Sequence, residues 1–359
     1  MSRIGRVKPM RTSRRSALRW LTMAAGAGIG TAILPALGGS GGLRAQTPPP
    51  PQPPAPPASP PSGSLLVLLG TQGGPTVNLG RGEAASALIV DGRPYLVDCG
   101  YGTLRALVQA GLRLVDVGAV WLTHLHNDHT ADVAALLSHQ WTGSRRDPTT
   151  VYGPPGTQAL VRGALAFFAG DVEIRSVDEG RTARPEALFT GQDIRATTAP
   201  VQVFKDDRVT AHAIENMHYP ETAKARMAHR SLAFRFDMAD RSIVFSGDTA
   251  PSSNLVELAR NADILVCEAV DVARHRQLMA DAAAAGPGAS IARHVAETHS
   301  TTEEVGRMAA AARVKTVVLS HLLPGSNPVP GEIPDTAYIA GVRRFFDGEV
   351  IVGRDQMKL

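Results

Sequence analysis

The sequence predicts an α/β protein in which helices cover two β-sheets. From Ser64 onward, short apolar runs typical of strands alternate with segments of helical periodicity. The early strand-like runs follow one another as hairpin-like pairs, which favours two helix-covered sheets over one doubly wound nucleotide-binding sheet. Several of the runs end in Asp, Glu or His, so titratable side chains come directly after predicted strands.

Individual elements follow from these patterns. The predicted strands are 65–70, 86–90, 94–98, 118–124, 208–215, 231–236, 241–248, 263–269 and 315–321. The predicted helices are approximately 102–111, 130–141, 156–169, 252–261, 271–285, 301–313 and 335–346. Segment 271–298 is a helical stretch broken by Gly286-Pro287-Gly288, and two interpretations of it stay open, a lid over a site and a surface excursion.

The first 45 of the 359 residues have the layout of a twin-arginine export signal. Adjacent arginines in 11-RTSRRSALR-19 precede an uncharged, weakly hydrophobic stretch from Trp20 to Leu37, and Leu43-Arg44-Ala45 offers a small-residue cleavage site. A membrane anchor is the rival interpretation, because such a stretch could just span a bilayer. The signal predicts a periplasmic or secreted protein, with membrane contact only if the signal stays uncleaved.

Residues 46–62 are a proline-rich linker, because such a run favours extended polyproline II and cannot form a packed core. The folded part is therefore expected to be a single domain over residues 63–359. Cys99 and Cys267 are the only cysteines, which excludes a disulfide scaffold and fits two small buried apolar residues.

The charge balance of the body differs from that of the whole chain. Eight of the 37 Lys and Arg residues lie in residues 1–45 without any acidic residue, so the other 29 stand against 33 acidic residues. The body then has a net charge of −4, although the whole chain has +4. This argues against broad electrostatic binding of nucleic acid, and no nucleic-acid partner is expected.

The segment 123-THLHNDHTAD-132 carries the strongest chemical signal. Four candidate ligands, His124, His126, Asp128 and His129, lie within six residues after a predicted strand. His124 and His126 face the same way in extended backbone and could share one metal, while Asp128 and His129 could hold a second. Nitrogen and oxygen donors without sulfur suit two Zn²⁺ ions, with Fe or Mn as alternatives.

The H-x-H-x-D-H pattern after a strand resembles the metallo-β-lactamase superfamily. That resemblance implies a four-layered αβ/βα sandwich with a two-metal hydrolytic site at its edge. The segments 217-MHY-219, 246-SGDT-249 and 320-SHL-322 look like the family's remaining ligand positions. The implied ligands are His124, His126, His218 and Asp248 for the first metal and Asp128, His129, Asp248 and His321 for the second.

Further segments are similar to the ribonuclease Z and arylsulfatase-like branch of this superfamily. They are 69-LGTQGGP-75, 98-DCGYGT-103, 245-FSGDT-249, 267-CEA-269 and 298-THST-301. The resemblance implies that Glu268 and His299 form a proton relay and that Asp128 orients the attacking hydroxide. An alternative for His299 is a structural role at a helix start, because the residues after it read as a capping box.

The function expected from these residues is an exported two-metal hydrolase that cleaves phosphodiester or aryl sulfate esters of small molecules. A lactonase or other carboxyl-ester hydrolase of the same fold is the alternative, and a β-lactamase or a non-catalytic metal-binding module is less favoured. A nuclease that processes tRNA is also disfavoured, because only 30 residues separate His218 from Asp248 and leave no room for the long arm of such enzymes. A homodimer is one assembly that the sequence leaves open.

We expect export to depend on the arginine pair. Replacing Arg14 and Arg15 together by Lys should leave a longer, unprocessed protein in the cytoplasm, because the export receptor reads the pair as an address and charge alone does not suffice. Fractionation with an antibody against the body measures this. Unchanged export of the double variant would show that the signal uses another route.

Overall fold

The computed structural model describes residues 63–77, 79–195, 197–275, 288–324 and 333–359. The predicted export signal and linker lie outside these residues, as does part of segment 271–298, and they stay predictions. Residues from Ala58 to Leu359 group into one unit. Among the described residues, no helix has the length and apolar character needed to cross a membrane.

The first sheet has six strands that lie side by side in chain order. The second strand pairs antiparallel with the first and with the third. The third, fourth, fifth and sixth strands pair parallel with one another in that order. The strands are β1 (Ser64–Gly70), β2 (Ala85–Val90), β3 (Arg93–Val97), β4 (Ala119–Trp121), β5 (Thr149–Gly153) and β6 (Phe189–Asp193).

The second sheet has seven strands in the order β13-β12-β11-β10-β9-β8-β7. Strands β7 to β10 pair antiparallel and β10 to β13 pair parallel, so this sheet mirrors the mixed character of the first. The strands are β7 (Val201–Lys205), β8 (Thr210–Glu215), β9 (Leu232–Asp237), β10 (Ser242–Phe245), β11 (Ile264–Val270), β12 (Thr316–Leu323) and β13 (Glu349–Val352).

The two sheets pack face to face through a buried aromatic core. Trp121 of β4 stacks on Tyr152 of β5 with ring centroids 4.2 Å apart, and Phe234 and Phe236 of β9 meet Trp121 edge-on at 5.6 Å. Large aromatic side chains bury much apolar surface, and edge-on pairs add about 0.5–1.5 kcal/mol each beyond that burial. This core fixes the position of one sheet relative to the other.

Helices cover the outer face of each sheet. Leu107 of α1, Leu136 of α3 and Val161 of α4 pack on the first sheet, whereas Leu255 of α8 and Val305 of α10 pack on the second. The helices are α1 (Thr103–Gln109), α2 (Asn127–Thr130), α3 (Val133–Thr142), α4 (Thr157–Phe167), α5 (Ala169–Asp178), α6 (Pro185–Leu188), α7 (Glu221–Lys224), α8 (Ser253–Leu258), α9 (Gly288–Thr298), α10 (Thr302–Ala312) and α11 (Asp335–Arg343). The order helix, sheet, sheet, helix confirms the predicted four-layered sandwich.

Every predicted strand has a counterpart in the two sheets, but β5, β6, β7 and β13 were not predicted. Three of these four lie at sheet edges, where the strands β6 and β7 are largely exposed and carry polar residues such as Gln192 and Gln202. An edge strand buries little of its surface, so it needs no apolar run and its sequence shows only a weak strand pattern.

Both cysteines are buried and free, as expected from the sequence.

Candidate active site

The loops that follow β4, β8 and β10 meet β12 at one edge of the sandwich. They bring His124, His218 and Asp248 together with His321 of β12, although up to 197 residues separate these positions in the chain. Gly247 forms the turn that places Asp248 in the site. Its φ is +56°, and a Cβ there would lie 2.8 Å from the Leu232 carbonyl oxygen, so only glycine fits this close approach.

The first donor group is His124, His126, His218 and Asp248. The Nδ1 atom of His126 lies 3.0 Å from Nε2 of His124 and 3.2 Å from Nε2 of His218, and Asp248 Oδ2 lies 3.7 Å from His124 Nε2. Burial lowers the pKa of all three histidines, which favours neutral rings that each have one nitrogen with a free lone pair. Three nitrogen lone pairs and a carboxylate that converge in this way fit a bound cation.

The second donor group is Asp128, His129, Asp248 and His321. Asp128 Oδ2 and Asp248 Oδ2 each lie 3.3 Å from His321 Nε2, and Asp248 Oδ1 lies 3.3 Å from His129 Nε2. Among the residues that the structure describes, His129 Nε2 and Asp248 Oδ1 are buried atoms without a hydrogen-bond partner. A second cation would satisfy both atoms, because buried polar groups are costly when unpaired.

The structure therefore places all seven predicted ligands in two groups that share Asp248. Their assignment as metal ligands stays a prediction. Imidazole and carboxylate donors suit zinc, iron and manganese alike, so zinc in particular also stays a prediction.

The carboxylates around His129 determine its pKa. Burial lowers the pKa of His129, but the carboxylates of Asp248, Asp98 and Asp128 outweigh that effect and raise the pKa well above its usual value. The same excess of negative charge favours cations in this group.

His299 and Glu268 form a buried pair beside the second group. Nδ1 of His299 lies 2.6 Å from Oε2 of Glu268, whose other oxygen accepts a short hydrogen bond from the backbone N–H of Thr249. The capping box at the start of α10 belongs to Thr301 and Glu304, since Thr301 Oγ1 accepts from Glu304 N and Thr301 N donates to Glu304. His299 is therefore not a helix cap, and its Nε2 remains available to the cavity.

Asp98 is a further site residue, to which the sequence motifs assigned no role. Its Oδ2 lies 2.9 Å from Nδ1 of His129, and its Oδ1 accepts a 2.8 Å hydrogen bond from the backbone N–H of Thr123. A carboxylate on the outer nitrogen of a ligating histidine fixes the ring tautomer and orientation. The signal that could have revealed this role is the position of Asp98, directly after a strand that pairs with the strand leading to the histidine motif.

A cavity of about 420 Å³ opens directly onto both donor groups. Its walls include His126, Asp128, Asp248, His299 and His321. His275 and His294, which match no sequence motif, also line it, and so do Ile291 and Val295 of α9. The described part of segment 271–298 is therefore a wall of the site, which decides against a surface excursion for these residues.

We expect Asp98→Asn to weaken metal binding. The amide can still accept the bond from Thr123, but it removes the negative charge behind His129, and losing such a partner lowers metal affinity about tenfold to a hundredfold. Competition with a chromogenic chelator measures the affinity, with the exposed Asp178→Asn as the control. Equal affinity in parent, Asp98→Asn and control would contradict the assigned role of Asp98.

Curated relatives of this chain are named ribonuclease Z. The protein from Mycobacterium sp. (strain KMS) is 32% identical over 265 residues, which cover 73% of this chain and 85% of the relative. The protein from Mycolicibacterium gilvum (strain PYR-GCK) is 29% identical over 293 residues, which cover 81% of this chain and 93% of the relative. The match therefore spans nearly the whole length of these relatives.

A solved structure shows the same fold. Human tRNase Z, short form, matches with a TM-score of 0.56 and 20% identity over 82% of this chain and 98% of that chain. At this identity the likeness concerns the fold alone.

These relatives overturn two expectations from the sequence. A hydrolase of small phosphodiesters or aryl sulfates is wrong as the main interpretation, because the curated relatives are named ribonuclease Z, whereas export stays a prediction. The expectation of a small-molecule partner without nucleic acid is wrong for the same reason. Net charge is one source of the error, because it sums over the whole surface, whereas a scissile phosphate meets only the local charges of the site.

The match to a family model agrees with the motifs and with the fold. Residues 93–322 match the model described as "Beta-lactamase superfamily domain", and this range contains both donor groups, Glu268 and His299. The resemblance inferred from the histidine motif is thereby confirmed. The chain belongs to the beta-lactamase superfamily, in the metallo-β-lactamase fold.

Proposed function

We propose that this chain is a metal-dependent nuclease of the ribonuclease Z type, which hydrolyses phosphodiester bonds of RNA. The observation that carries the proposal is the match to ribonuclease Z relatives over 85% of their length at 32% identity. The two donor groups and the neighbouring His299–Glu268 pair support it, because they supply the groups that phosphodiester hydrolysis needs.

Two bound cations would lower the pKa of a water molecule and polarise the phosphoryl oxygens. Asp128 belongs to the second donor group and also lines the cavity, so its carboxylate can accept a hydrogen bond from the attacking water and orient it. The water releases one proton to solvent, and the bond from phosphorus to the leaving ribose oxygen breaks as the bond from phosphorus to the water oxygen forms. The leaving oxygen is a strong base and needs a proton.

We propose that His299 donates that proton, although burial lowers the pKa of its ring and so favours the neutral form. Its ring lines the cavity, and the contact of Nδ1 with Glu268 leaves Nε2 as the atom that can reach a substrate. Burial raises the pKa of Glu268 well above its usual range, and the nearby Asp248 adds to that shift. Its two oxygens contact the Thr249 N–H and His299 Nδ1, and Glu268 is not among the described residues that line the cavity, so it acts as a positioning residue that fixes the imidazole.

The interval between His218 and Asp248 bears on how an RNA could be held. Between His218 and Asp248 the structure contains the one-turn helix α7 and the hairpin of β9 and β10, all within the described residues. No extended arm occurs in this interval of the described chain. We propose that an RNA at the metal site contacts the walls and rim of the cavity, because this described interval offers no separate arm.

We expect the metal-loaded full chain to cleave an end-labelled RNA, and His299→Ala to cut the rate about 10²- to 10⁴-fold, the usual contribution of general acid catalysis. The same variant should lose far less activity on a p-nitrophenyl phosphodiester, because nitrophenolate leaves without a proton. Gel electrophoresis and absorbance measure the two rates.

The exposed His139→Ala on α3 serves as the matched control, and metal content is checked in every variant. Equal losses on both substrates would remove His299 from proton transfer. Absence of RNA cleavage by the metal-loaded parent would overturn the proposed function.

A further inference from the structure

The end of helix α9 brings a third group of histidines together beside the first donor group. One ring nitrogen from each of His218, His294 and His299 lies within 4.8 Å of the other two. The ring centroids of His294 and His299 are 5.9 Å apart, and that of His218 lies 5.6 Å from the former and 5.1 Å from the latter. His294 takes no part in the hydrolysis described above.

The backbone around His294 and His299 is anchored on both sides. Thr298 Oγ1 donates a 2.8 Å hydrogen bond to the His294 carbonyl oxygen, which closes the last turn of α9. Directly after His299, the carbonyl oxygen of Ser300 accepts a 2.9 Å hydrogen bond from the backbone N–H of Val270 in β11. Because the two rings stand on anchored backbone, less conformational entropy is lost when they share a ligand.

His299 has the surroundings of a metal-binding histidine. Its Nδ1 atom lies 2.6 Å from Oε2 of Glu268, and metal-binding histidines almost always place their second ring nitrogen on a carboxylate, a carbonyl or a water. Nε2 of His299 is then the ligand atom, and the rings of both His294 and His299 line the cavity. The contact that orients His299 for proton transfer therefore also prepares it for a cation.

We infer that His294 and His299 form a third cation site, which takes up zinc when the metal is in excess and then inhibits the enzyme. Imidazole nitrogens suit zinc, and water molecules would complete the coordination. His218 is a neighbour of this site rather than its ligand, because its Nε2 atom, 3.2 Å from Nδ1 of His126, belongs to the first donor group. The inhibition rests on the proposed function, since an Nε2 atom whose lone pair binds a cation cannot carry the proton for the leaving oxygen.

The two donor groups should fill before the third site. Each donor group offers four side chains with at least one carboxylate, whereas the third site offers two imidazoles. Cations that already occupy the donor groups also repel a further cation nearby. The third ion therefore binds more weakly, so its occupancy depends on the concentration of free zinc.

Equilibrium dialysis of the zinc-loaded full chain against rising free zinc tests the site without any RNA. At high free zinc the parent should bind one ion more than His294→Ala and one more than His299→Ala, because each variant lacks one of the two ligands. His139→Ala, which removes an exposed histidine from helix α3, is the matched control and should bind as many ions as the parent. Elemental analysis counts the ions.

Cleavage of RNA over the same range of free zinc tests the inhibition. The rate of the parent should fall about 10²- to 10⁴-fold as the third site fills, which is the usual contribution of general acid catalysis, and should return when a zinc buffer lowers the free zinc. Relative to its own rate at low zinc, His294→Ala should keep its activity at concentrations that inhibit the parent and His139→Ala.

Equal numbers of ions in the parent and in His294→Ala at every zinc concentration would overturn the third site. Equal inhibition of these two proteins, or a parent that binds the additional ion without losing activity, would overturn its inhibitory role. A parent that cleaves no RNA at any zinc concentration would instead overturn the proposed function, and the dialysis would still decide whether the third site exists.

Discussion

A single buried carboxylate, that of Asp248, is the constraint on which the rest of the site depends. Its oxygens lie within 4.0 Å of ring nitrogens of His124, His129, His218 and His321. Burial alone would raise the pKa of this carboxyl, but His321, His129 and His124 outweigh it and hold the pKa well below its usual range. A charge buried this deeply is stable only when opposite charge and hydrogen-bond partners surround it. The meeting of the two sheets at one edge places these four histidines around Asp248, because His124 and His129 follow β4 whereas the second sheet supplies His218 and His321. The Oδ1 atom that lacks a hydrogen-bond partner is left for a bound cation.

Most of the candidate ligands could be predicted from the sequence because of where they lie relative to the strands. Ligands that come directly after strands keep short, recognisable spacings, so His124 to His129 could be identified from one segment. The helix–sheet layering followed from apolar runs that are buried and hence strongly patterned. Edge strands such as β6 escaped prediction because their exposed residues carry no such pattern. Asp98 escaped because its role arises from the pairing of β3 with β4, a contact between distant residues that spacing in the chain does not encode.

The error about substrate class has a different origin. The net charge of the body and the short interval between His218 and Asp248 both argued against nucleic acid, but neither describes the surface that a scissile phosphate meets. The described lining of the cavity is apolar with polar groups from histidine, aspartate and amide side chains, and its positive charge would come from bound cations. The proposed RNA hydrolysis would rely on local positive charge from bound cations rather than on a broad basic surface, which is compatible with an acidic body.

The number of metal ions in the protein and in its variants tests the central claim most directly. Elemental analysis of the full chain should find two equivalents of a transition metal, one for each donor group. Asp248→Ala should lose both ions because it removes a donor from each group, whereas His321→Ala should keep about one and the exposed His139→Ala should keep both. One tightly held ion in active parent protein, or two ions retained by Asp248→Ala, would contradict this account.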